Sequence, residues 1–421
     1  MTKCVVRLTL CIAAIAGSTT LLWSCSTNAA PVPANSGDRA RPFTQVNATS
    51  QYRVLYNFNG TDGRRPLGSL IALNGVLFGT TSEGGTHGSS STKNGVVFSM
   101  TIAGKERVVH DFGPMTHDGN YPMAGLLDVN GVLYGTTGIG NPENGGTAYR
   151  VTTDGKELVL YNFGDTGAGG YQPSTSLINV NGALYGTTTQ GGKSSVGTLF
   201  SMTTDGQIKT LHEFGDPYKS DGQYPAGRLL NLNGTLYGTT YQGGIYWRGN
   251  HCGSAPCPGD GTVFKVDGDT VRVLHSFGNG SDGLDPTAGL IAVNGTLYGT
   301  TSEGGQNIDC GTVFSITPAG SERVLHNFGV TSGDGCGPAA ALIVVRGTLY
   351  GTTAYGGADN KGGTIFSITL TGADERVLHS FGATSDGKNP VAALYNLNGT
   401  LYGTTDIGGT GNDGTVFAFK P

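Results

Sequence analysis

The chain has 421 residues, of which 73 are glycine and only 37% are hydrophobic, and its 25 basic and 30 acidic side chains leave a net charge of −5. With a pI near 5.9, it has no basic excess to neutralise a phosphate backbone, which excludes nucleic acid as a partner class. Hydrophobic content this dilute can form a core over such a length only if it recurs at regular positions.

At the N-terminus, Lys3 and Arg7 precede an apolar stretch over residues 8–22 that is short for a membrane span and ends in small polar residues, which predicts an export signal. Leu22-Trp23-Ser24-Cys25 resembles a bacterial lipobox, which implies a lipidated Cys25 as the first mature residue, and Ser26 after it resembles lipoproteins sent to the outer membrane. Ordinary cleavage near Ala29 or Ala30 is the alternative, giving a periplasmic or secreted protein. Residues 26–50 read as a flexible tether and residues 51–421 as one repeat domain. The expected product is an exported monomer that meets the membrane only through its lipid.

From residue 78 onward an aromatic-Gly-Thr-Thr tetrapeptide recurs at Phe78, Tyr134, Tyr185, Tyr237, Tyr298, Tyr350 and Tyr402, with spacings of 56, 51, 52, 61, 52 and 52. Periods of this size mark propellers and related arrays, whose units bury their faces only against one another. In the fifth copy four β-rich segments are separated by turn residues: A (286–293), B (296–301), C (311–317) and D (322–328). Asn294-Gly295 between A and B is a two-residue hairpin signal. Tyr298, Phe314 and Phe328 have counterparts in every copy. Segment A pairs its repeated Leu with small residues, among them Ser69, Gly125, Gly289, Ala341 and Ala393, as crowding at a central axis demands, so A is placed innermost and D outermost. Arg228 breaks that rule and is a candidate to point into the axial channel.

The first recognisable segment, residues 52–58, is of D type, while the last copy stops after its C segment at Phe419. The prediction is therefore an all-β fold, a seven-bladed propeller of four-stranded antiparallel blades closed by strand 52–58 beside residues 414–419, with an open solenoid as the alternative. Once the leader and Cys25 are set aside, Cys252, Cys257, Cys310 and Cys336 remain for an oxidising compartment. Local pairing of Cys252 with Cys257 and of Cys310 with Cys336 fits their loops, among three possible connectivities. His251 beside Cys252 and Cys257 lacks zinc-site spacing, so no metal is expected there.

The recurring Asn-Gly-x-Leu-Tyr-Gly-Thr-Thr, Gly-Thr-Val-Phe and Val-Leu-His-x-Phe elements resemble the GloVer tandem repeat of bacterial "choice-of-anchor" surface proteins, over residues 52–419. The resemblance implies a surface-anchored repeat protein. Such proteins are often fixed by a C-terminal sorting segment; with the sequence reading to Pro421 without one, the expectation here is anchoring at the lipobox instead.

Asp62, Asp118, Asp221, Asp282, Asp334 and Asp386 stand in Asp-Gly-x-x-Pro connections from D to the next A, where turn chemistry is a stronger reading than a calcium ring. The third connection, with Asp165, departs from that pattern. His110, His212, His275, His326 and His379 share one D position with Tyr56 and Tyr161 and read as structural rings. The fourth copy carries the longest B-to-C loop, residues 241–260, with Tyr246, Trp247, Arg248 and His251, which makes those residues and Arg228 the ligand-binding candidates. Neither a catalytic constellation nor a cofactor motif is present. The favoured reading is a non-catalytic module binding a glycan or a protein. The alternatives are a propeller-type polysaccharide lyase or glycoside hydrolase using Asp118 and His117, or a purely structural envelope protein.

Overall fold

The structure, a computed structural model, describes residues 51–87, 94–113, 118–140, 145–164, 169–216, 220–246, 259–268, 270–306, 310–358, 362–382 and 385–421. Several sequence expectations lie outside the described residues: the leader with Cys25, the tether over residues 26–50, His117, Asp165, Trp247, Arg248, His251, Cys252 and Cys257. Among the described residues, no helix is long and apolar enough to cross a membrane.

Seven four-stranded antiparallel sheets form a seven-bladed propeller, each sheet with the spatial order A-B-C-D. In blade five the strands are Ile291–Val293, Thr296–Thr301, Thr312–Ile316 and Glu322–Asn327. Between the first two, Asn294 and Gly295 have φ of 51° and 80°, the doubly positive turn that their side chains tolerate and that matches strand twist. Whereas in blade four strand A extends over Gln223–Leu232, in blade five it is three residues long, not the eight expected. Residues before it pair instead in a two-residue ladder, Gly283–Leu284 with Glu303–Gly304, so the D-to-A and B-to-C loops share one face. Blades six and seven repeat that ladder.

The repeated tetrapeptide is explained residue by residue. Tyr298 is buried against blade six, in one cluster with Leu342, Leu349 and Phe366. Gly299 leaves room for the Phe314 ring: a Cβ there would stand 2.6 Å from its Cζ. The first threonine of the pair, Thr300, donates its hydroxyl to the Ala340 carbonyl of the next blade at 3.3 Å. The second, Thr301, donates to the Glu303 carbonyl at 3.0 Å and accepts the Thr312 amide at 3.0 Å, tying B to C.

Between neighbouring blades, the phenylalanine ending each D strand packs on the C-strand aromatic of the next, with centroids 5.0 to 5.3 Å apart at all seven interfaces. Each contact is worth about 0.5–1.5 kcal/mol beyond the burial of the rings. Closure follows the prediction: Tyr52–Asn57 pairs antiparallel with Thr415–Phe419, with Tyr52 opposite Phe419 and Val54 opposite Phe417. Beyond that strand, Arg65 grips Asp406 through two bonds of 2.8 and 3.0 Å, latching the first connection to blade seven.

Candidate functional site

Seven inner strands leave an axial cavity of about 520 Å³. One equivalent position of each strand A lines it: Ser69, Gly125, Ser176, Arg228, Gly289, Ala341 and Ala393. Six are small because neighbouring inner strands nearly touch; a Cβ on Gly289 would lie 2.7 Å from the Arg228 carbonyl oxygen. The seventh is Arg228, held where the pairing of Gln223–Leu232 with its neighbour is interrupted between Ala226 and Leu230. Interruptions of this kind re-aim side chains.

Arg228 is the only charged residue in the described lining. It is solvent-accessible by surface area yet ringed by seven strands, and that desolvation lowers its guanidinium below the ordinary value. Its exposed surface forms part of the cavity lining. No salt bridge or hydrogen bond of its side chain occurs among the described residues. Serine hydroxyls, asparagine side chains and Tyr395 supply the remaining polarity.

Closer to the periphery, the five repeated histidines are brought onto the repeated aspartates. Nε2 of His110, His212, His275, His326 and His379 lies 2.8, 2.7, 3.1, 3.3 and 3.0 Å from Oδ2 of Asp118, Asp221, Asp282, Asp334 and Asp386. The aspartates are buried, and each accepts backbone amides of its own turn, for example from Gly278 to Asp282 at 3.0 Å, as their turn role predicts. An exposed ring of carboxylates for calcium is thereby excluded. A bulge in each C–D ladder, between Val313 and Phe314 in blade five, aims the histidine at its aspartate.

Sequence reading missed a third member. Glu157, first residue of the second blade's D strand, faces His110 and Asp118 across the interface; Glu322 faces His275 and Asp282, and Glu375 faces His326 and Asp334. Burial first, opposed by the histidine and reinforced by the aspartate, pushes Glu157 and Glu322 up to about 7 and raises Glu375. Glu106 stands likewise against Tyr56 and Asp62. The available signal was the recurrence of Glu at the start of D.

Of the long fourth loop, Tyr246 is described and is 39% exposed beside Ile245 at 68%, leaving apolar surface at the edge of the insert. Cys310 and Cys336 are paired, with Cα atoms 4.3 Å apart, linking a B-to-C loop to the following D-to-A loop.

Comparison with solved structures places the same fold in proteins of unrelated activity. PorZ, an essential bacterial surface component of the type-IX secretion system of Porphyromonas gingivalis, matches with a TM-score of 0.52 and 14% identity over 87% of this chain and 48% of its own. The polysaccharide lyase Uly1 matches with a TM-score of 0.50 and 11% identity over 86% of this chain and 90% of its own. A puromycin hydrolase gives a TM-score of 0.50 and 11% identity over 82% of this chain and 50% of its own. This chain thus spans about half the length of PorZ and of the hydrolase. At such identities the likeness is one of fold alone. No curated protein matches the chain. The sequence pattern of one repeat family matches residues 37–252 and 248–421, and with the seven blades in view the chain belongs to the Gloeobacter/Verrucomicrobia repeat family.

Proposed function

We propose that the propeller is a non-catalytic binding module, exported and held to the envelope through Cys25, whose ligand is an acidic glycan with a carboxylate that enters the axial cavity and meets Arg228. The observation that carries this reading is the unpaired guanidinium in a ring of six small residues. A desolvated arginine without a counter-ion favours a planar anion that it can grip through two bonds, as a uronate offers. The cavity volume of about 520 Å³ suits one or two sugar units and is too small for a protein face. Tyr246, exposed at the edge of the long fourth loop, offers a further stacking surface.

Catalysis is not part of the proposal, because the described lining has no carboxylate or histidine to move a proton. Calorimetric titration with oligogalacturonate and with a neutral oligosaccharide of equal length tests the assignment. Binding of the acidic ligand alone, weakened at least about tenfold by Arg228→Met, is expected. Equal binding of both sugars, or an unchanged affinity in the variant, overturns it. Appearance of unsaturated uronate during the titration would instead make the protein a lyase.

A further inference from the structure

Four blade interfaces place a glutamate from the start of one D strand against the aspartate of the preceding blade, and this costs energy unless something shares the space. Oε1 of Glu106, Glu157, Glu322 and Glu375 is buried without a hydrogen-bond partner. The same structural position is Ile208 in blade three and Val271 in blade four, so the fold itself does not require an acid there. In two of these interfaces the donors converge further. The ligand atoms of His110, Asp118 and Glu157 all lie within 4.8 Å of one another, as do those of His326, Asp334 and Glu375.

We propose that these two interfaces, between blades one and two and between blades five and six, are binding sites for a first-row divalent metal ion, zinc by their donor set. One imidazole nitrogen and two carboxylate oxygens suit zinc or its neighbours, whereas magnesium and calcium prefer oxygen alone. Around zinc, ligands at their usual bond lengths stand roughly 3.3 Å apart. The His110 and Asp118 atoms at 2.8 Å and the His326 and Asp334 atoms at 3.3 Å are already near that separation. The buried glutamate oxygen completes a three-ligand face and acquires the partner it lacks. Asp118 and Asp334 are each 2% exposed by side chain, with backbone amides from Gly113 and Gly329 to fix them, so the site is built in advance. With metal on Nε2, each histidine would be the neutral tautomer that carries its ring proton on Nδ1.

Untagged full-length protein, stripped with EDTA and titrated with zinc chloride, tests this directly. Two zinc ions retained per chain after gel filtration, with a higher Tm, are expected. Glu157→Gln and Glu375→Gln should each remove one equivalent while leaving the metal-free Tm at or above that of the parent, since each replaces a buried carboxylate by a neutral amide. Cobalt titration of the unaltered chain gives a second readout independent of any variant, with the visible absorption of a low-coordinate nitrogen–oxygen site. Loss of all zinc on filtration, or zinc retained in full by the double variant, overturns the assignment, the latter outcome placing the metal elsewhere.

Discussion

At the scale of single residues, the repeat is a record of clearances and hydrogen bonds. Gly299 is required by its neighbour's ring, with its backbone otherwise unstrained, so Gly299→Ala forces Phe314 and Leu290 apart, since the added Cβ meets their atoms at 2.6 and 2.8 Å. Denaturant unfolding should show a loss of about 1–3 kcal/mol; an unchanged midpoint would mean that the ring is not where the structure puts it. Glu106 makes a different prediction. Burial, then the charge of Asp62, pushes it from 4.5 up to about 7, with Tyr56 and Arg107 opposing. Below pH 4.5 the group is protonated whether the chain is folded or not, and its favourable contribution is complete. Between there and pH 7 the unfolded chain gives up the proton while the folded chain keeps it, so stability falls, levelling off above 7. Glu106→Gln should flatten this part of the profile of denaturant midpoint against pH. The same slope in both proteins would contradict the assignment.

At the scale of the element, four strands per copy were legible because turn residues such as Asn294-Gly295 and the alternation around Tyr298 and Phe314 are local properties. The length of strand A was not. It varies from three residues in blade five to ten in blade four, a difference between copies that the shared repeat pattern does not contain. Arg228 was visible as an outlier against small residues, but its lack of an acidic partner depends on six other strands. For the same reason the histidines were seen as a repeated position and the aspartates as turns, while their union, and the glutamate facing them one repeat later, needed three dimensions. The Cys310–Cys336 link fastens two loops separated by 26 residues. Its removal by Cys310→Ser with Cys336→Ser should cost about 2–4 kcal/mol, read as a lower Tm in non-reducing buffer. A variant as stable as the parent would show that the ladder of Gly335–Cys336 with Tyr355–Gly356 holds these loops unaided.

For the whole molecule, the ring rests on a strand that precedes every complete copy of the repeat. Tyr52–Asn57 covers the open edge of Thr415–Phe419, Phe58 packs on Phe98 of blade one at 5.2 Å, and Arg65 holds Asp406. Without that strand blade seven loses its outer edge and blades seven and one lose the contact between Phe58 and Phe98. Hydrogen–deuterium exchange on the full chain, read by mass spectrometry at peptide resolution, tests the closure most directly. Peptides covering residues 52–58 should exchange as slowly as those covering the D strand of blade five, residues 322–327, because both are ladder-bonded on one edge. Complete exchange of residues 52–58 within seconds, while 322–327 stay protected, would contradict a closed propeller.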